Sequence, residues 1–367
     1  MTEPLRVDPA QDIVLDELPD EVLATMQIRD RWMASLPCDN GALEFLVADL
    51  QSWTPGQTLR VAFLSGTPQL HQSIKDATDE IAAATNLTLD FGPADAFRTW
   101  TTSDTEYAAE IRVSFDQKGY FSLLGTDGAN PAIGISGSPV GGRPHQRSLN
   151  LDGFDHNLPP TWRGTTRHEF LHALAFAHEH QNMRGPCELA FRWEDDPGYQ
   201  STAGPNGSFV ADSQGRRPGI YTYLSGPPNS WPKAKVDHNL RTNPDSPAVA
   251  GPFDAASVML YRFPALFYRT QPSPCAPSGD GQHLSDGDIR GLRLLYPQHA
   301  DALAAIGARQ ETLIHIIEST STPDAAFPAE PHSGLESLGI PVAAPNLPDA
   351  AAYAIHRLRA AAAHLHG

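Results

Sequence analysis

His168-Glu169-Phe170-Leu171-His172-Ala173-Leu174-Ala175-Phe176-Ala177-His178-Glu179 is the stretch that decides how this chain is read. Residues four apart on a helix lie one above the other on the same face. His168 and His172 therefore present two imidazoles to one point, and Glu169 sits about a quarter turn away, near the same point. A continuing helix would carry His178 off that face, so it joins them only if the helix breaks after about residue 174 and the chain doubles back. Three protein ligands with a fourth position left open describe a catalytic zinc site. With 15 histidines in the chain, the rival reading is a core helix whose histidines find backbone partners. The third histidine and the apolar flanks Phe170, Leu171, Leu174 and Phe176 weigh against it.

The 367 residues suffice for one large domain or two smaller ones, and 40% hydrophobic residues suffice for a core. A net charge of −17 disfavours nucleic acid and anionic membrane surfaces as partners. No apolar run reaches the length of a membrane span. Met1 to Asp20 is acidic and lacks the basic start and apolar run of a secretory signal. Cys38, Cys187 and Cys275 make no disulfide framework. A single Cys187–Cys275 bridge and free buried thiols both fit. The 33 prolines predict many irregular loops.

Outward from the motif, hydrophobic periodicity predicts a helix over 20–35, a strand over 59–64, a helix over 68–85, and strands over 87–91, 110–115 and 148–152. The order implies an α+β fold, α/β-like in its upper half, with a twisted mixed sheet. The polar strand at 148–152 suits a sheet edge, where Leu149 and Asn150 would hold an extended peptide through backbone hydrogen bonds. Residues 185–250 read as loops with short helices. Helices are expected over 284–296, with Ser285 as N-cap, over 300–318 and over 349–365, and the proline-rich 320–348 reads as a linker. The implied organisation is a leader or pro-like segment at 1–56, a catalytic domain at 57–300 and a helical extension at 301–367. His71, His145, His156, His238 and His283 lack ligand spacing and read as surface or internally satisfied residues.

The extended motif resembles the metzincin zinc peptidases, and Glu179 directly after His178 points to the astacin family. Ser257-Val258-Met259-Leu260-Tyr261 resembles that family's Met-turn. Weaker matches are His178-Glu179-His180-Gln181, similar to bacterial and fungal members, Val236-Asp237-His238-Asn239, and Leu284-Ser285 through Leu295-Tyr296. The resemblance covers roughly residues 58–297.

It implies a metzincin fold with an antiparallel edge strand, an active-site helix and a loop-rich C-terminal half. It also implies one zinc ion on His168, His172 and His178, with Met259 packed beneath the metal. Glu169 would act as general base and acid on a metal-activated water, and Tyr261 as a donor to the oxyanion. The substrate would be an extended peptide or protein. Relatives use the Glu179 position to bind a freed N-terminus, and some block their zinc with a Cys or Asp, a role open to Cys38 or Asp39. Relatives are mostly secreted, which the missing signal does not support. Two other functions compete: a zinc-stabilised peptide-binding module without turnover, and a hydrolase of non-peptide amides. One departure stands out. Ala175 occupies the place of a glycine that ends the helix in a left-handed conformation.

Overall fold

The computed structural model describes residues 18–36, 48–93, 95–243, 251–320 and 347–366. They fall into two compact units, one within Asp16–Ala177 and Asp280–Gly367, the other within His178–Asp245 and Ala250–Gly279.

The first unit is built on a five-stranded mixed sheet. Strands β1 (Thr58–Phe63), β2 (Thr88–Asp90), β3 (Ile111–Ser114), β4 (Tyr120–Ser122) and β5 (Leu149–Leu151) lie in the order β2-β1-β3-β5-β4. The first four in that order run parallel, and β4 pairs antiparallel to β5, with Phe121 opposite Asn150. Between β1 and β2 runs α2 (Pro68–Ala84), started by Thr67, whose side chain accepts from the Leu70 amide, and by Pro68 in the first turn. Its buried stripe includes Leu70, Ile74, Ala77, Ile81 and Ala84. Those are the positions that helical spacing predicts.

The edge expectation is corrected. Strand β5 is interior, flanked by β3 and β4, and the edge on that side is β4, for which the sequence offers no strand signal. The polarity of Asn150 serves a buried network. Its Nδ2 donates to the carbonyls of Gln117 and Gly119, at 2.8 and 2.6 Å, and its Oδ1 accepts from the Ser114 hydroxyl at 2.9 Å. Leu149, Asn150 and Leu151 are fully buried. A buried polar group that is fully paired looks in sequence like an exposed one.

Helix α1 (Asp20–Ala34) and the later helices α7 (Ala300–Thr320) and α8 (Leu347–His366) belong to the same unit. Trp32, Met33 and Leu36 pack with Leu313, Ile317, Ala354 and Leu358 in one apolar cluster. Val22, Leu23 and Met26 pack instead with Phe121, Leu123, Ile133 and Val140 behind β4. Helix α6 (Asp286–Leu295) opens with a capping box between Ser285 and Asp288.

The second unit is loop-rich, with short helices α4 (Ile220–Ser225) and α5 (Lys233–Leu240) around a core of Phe191, Trp193, Trp231, Phe263, Phe267 and Tyr268. A Cys187–Cys275 disulfide ties it across 88 residues. Among the described residues no helix is long and apolar enough to cross a membrane.

Candidate metal centre

Helix α3 (Trp162–Ala173) carries the motif, and from Thr166 to Ala173 every residue is buried. It packs against α2, β4 and β5. Gly164 lets it seat closely, since a Cβ there would come 1.9 Å from the Gly281 carbonyl oxygen. Arg167 pairs with Glu80 of α2 at 3.0 Å.

The helix must stop abruptly for His178 to return, and Ala175 makes the stop with a φ of 70°. The Ala175 amide donates to the His172 carbonyl and the Phe176 amide to the Leu171 carbonyl, at 2.8 and 3.0 Å. These two bonds are the Schellman pattern that usually employs glycine. The remaining carbonyls of the last turn have side-chain donors. Trp53 Nε1 donates to Ala173 at 2.7 Å, and the Tyr296 hydroxyl donates to Leu174 at 2.9 Å. A glycine makes room for the alanine methyl: a Cβ on Gly125 would lie 2.9 Å from the Ala175 Cβ.

His168, His172 and His178 bring one ligating atom each to within 4.8 Å of one another. Nε2 of His168 and Nε2 of His172 are 3.1 Å apart. Two nitrogens on a tetrahedral zinc, each at its usual bond length, stand about 3.3 Å apart. The spacing therefore fits such an ion. His172 Nδ1 lies 2.6 Å from the Phe176 carbonyl oxygen. A carbonyl only accepts, so Nδ1 carries the proton and Nε2 presents its lone pair, the outer-shell arrangement typical of metal-binding histidines. Glu169 is 1% exposed, on the same buried helix. Its charge reaches the edge strand, where the Tyr120 phenol is pushed up, first by burial, then by Asp152 and Glu169.

Residues 257–260 form a tight turn: the Leu260 amide donates to the Ser257 carbonyl at 3.2 Å, and the Met259 amide to the Ser257 hydroxyl at 3.0 Å. Met259 is buried. The Glu179 amide donates to the Met259 carbonyl at 3.0 Å, and the Glu179 carboxylate accepts from the Asp254 amide and from Asn182 Nδ2, at 2.8 and 3.0 Å. Glu179 thus fastens the residue after the third histidine to the turn that carries Met259. Tyr261 stands beside His178, with ring centroids 4.5 Å apart.

Leu149 and Asn150 lie within the sheet, away from its edge. Cys38 and Asp39 fall outside the described residues. His71 is an internally satisfied histidine, stacked on Phe63 at 3.9 Å with Nε2 2.8 Å from the Ser65 carbonyl oxygen, and His283 pairs with Asp280 at 2.7 Å. Trp53 and Tyr296, which finish the helix, had no local signal, since their partners lie 120 and 122 residues away.

No family model matches this chain, and no curated protein matches it. Among solved structures it is similar to a structure of myroilysin at 26% identity, covering 68% of this chain and 97% of that one, with a TM-score of 0.46. A second myroilysin crystal structure is similar at 21% identity, over 81% of this chain and 99% of that one, with a TM-score of 0.39. High choriolytic enzyme 1, a hatching enzyme zinc-protease from the medaka fish Oryzias latipes, is similar at 17% identity, over 67% of this chain and 94% of that one, with a TM-score of 0.37.

Proposed function

We propose that this chain is an astacin-like zinc endopeptidase that hydrolyses peptide bonds in extended substrates. The observation that carries the reading is the convergence of the His168, His172 and His178 ligand atoms within 4.8 Å, beside a glutamate on the same helix. The three histidines would hold one zinc ion as neutral ligands, which leaves the ion its full charge. When bound, zinc supplies Lewis acidity, acidifying water and polarising a carbonyl.

The remaining steps belong to side chains. Glu169 takes a proton from the attacking water and returns it to the leaving amine. Burial of the helix around it keeps bulk water from competing for that proton. Tyr261 donates its phenolic hydrogen to the oxygen on which charge develops. The edge strand β4, beside α3, would hold the extended peptide, because only an edge strand has backbone groups to offer an added strand.

The test is Glu169→Gln in the zinc-loaded full chain, assayed on casein and on a peptide library. Hydrolysis should disappear while zinc stays bound. Undiminished hydrolysis would remove Glu169 from the mechanism.

A further inference from the structure

Two motifs remain without a role: His180-Gln181, just after the third histidine, and Val236 to Asn239. In the structure they meet. His180 is fully buried, with Nε2 2.8 Å from the Asn239 carbonyl oxygen. Gln181 Nε2 donates to the His238 carbonyl at 2.8 Å. Both acceptors lie in the last turn of α5, where backbone carbonyls lack intrahelical donors. Two consecutive side chains therefore cap that helix. Because a carbonyl only accepts, Nε2 of His180 carries a proton and the ring orientation is fixed.

The ring so anchored faces two others. It stacks on Tyr261 at 5.2 Å with planes 25° apart, and on His178 at 5.0 Å with planes 27° apart. Phe263 closes the cluster edge-on, 5.2 Å from His180 and 5.7 Å from Tyr261. Tyr261 itself is half-buried. We propose that His180 is a positioning residue: anchored on the end of α5, it fixes the Tyr261 ring beside His178 and so aims the phenol. This rests on the zinc-peptidase reading above. A misplacement of about 1 Å in a reacting group can cost roughly a hundredfold in rate, so a loosened phenol should show in kcat.

The experiment uses the full zinc-loaded chain labelled with 3-fluorotyrosine, as wild type, His180→Gln, His180→Phe, Tyr261→Phe and the His180→Gln, Tyr261→Phe double variant. His180→Gln should lower kcat on a fluorogenic peptide about tenfold and leave KM within about twofold, with no further loss once Tyr261 is already Phe. His180→Phe keeps a ring without the anchor and should lose less. It carries the same comparison if His180→Gln does not fold. The Tyr261 fluorine resonance, assigned by its disappearance in Tyr261→Phe, should move toward that of free fluorotyrosine in His180→Gln, with zinc bound and with zinc removed. Additive losses in the double variant, or an unmoved resonance, would overturn the proposal. If the wild type cleaves no peptide, the peptidase reading fails, and the fluorine resonance still decides whether His180 positions Tyr261.

Discussion

At Ala175 the backbone holds a φ of 70°, a conformation that side chains with a Cβ rarely adopt. The cost is about 1 kcal/mol, and it is met where His178 has to turn back. Ala175→Gly should therefore raise stability by about 1 kcal/mol, a rise of roughly 2 °C in the midpoint of thermal unfolding, with activity retained. A lower midpoint would mean that the methyl's packing against the Gly125 segment outweighs the strain. Tyr261→Phe tests the phenol directly. It should lower kcat about a hundredfold with little change in KM, since the proposed bond to the oxyanion would be made only in the transition state. At this scale the sequence was informative: the spacing of three histidines forces a chain reversal near residue 175, and alanine is visibly the wrong residue for it. The devices that make the reversal tolerable were not legible, because Gly125, Trp53 and Tyr296 reach it through tertiary contacts.

Helices and strands set the next scale, and here α3 depends on close approach at one end and on borrowed donors at the other. Gly164→Ala would drive a Cβ into the Gly281 carbonyl. The helix would have to shift, and unfolding by denaturant should show a loss of about 3 kcal/mol. Trp53→Phe keeps an aromatic ring, though a smaller one, and deprives the Ala173 carbonyl of its donor. It should cost about 1 kcal/mol and weaken zinc retention, read by chelator competition. A Trp53→Phe variant as stable as the wild type would show that water replaces the indole at the helix end. The helices were readable from spacing and caps, as with Thr67 and the Ser285–Asp288 box. The sheet order was not. Strand β4 has only three residues, too few for an alternation to register, and Asn150 disguised an interior strand as an edge.

Across the whole molecule, the chain divides into two compact units, and His178 is the first residue of the second one. That second unit has few regular elements and is held by an aromatic core and the Cys187–Cys275 bridge. Closing a loop of that length stabilises by about 5 kcal/mol in the chain-entropy account. The Cys187→Ser, Cys275→Ser double variant should therefore become protease-sensitive within residues 187–275 before the sheet unit does. Simultaneous loss of both units would contradict this division. We propose that one zinc ion on three histidines, served by Glu169, hydrolyses peptides. The most direct measurement adds zinc stepwise to the chelator-stripped full chain while following bound metal and peptide cleavage together, in wild type and Glu169→Gln. One zinc per chain is expected in both proteins, with cleavage rising in step with zinc only in the wild type. Cleavage by the stripped chain, or undiminished cleavage by Glu169→Gln, would contradict it.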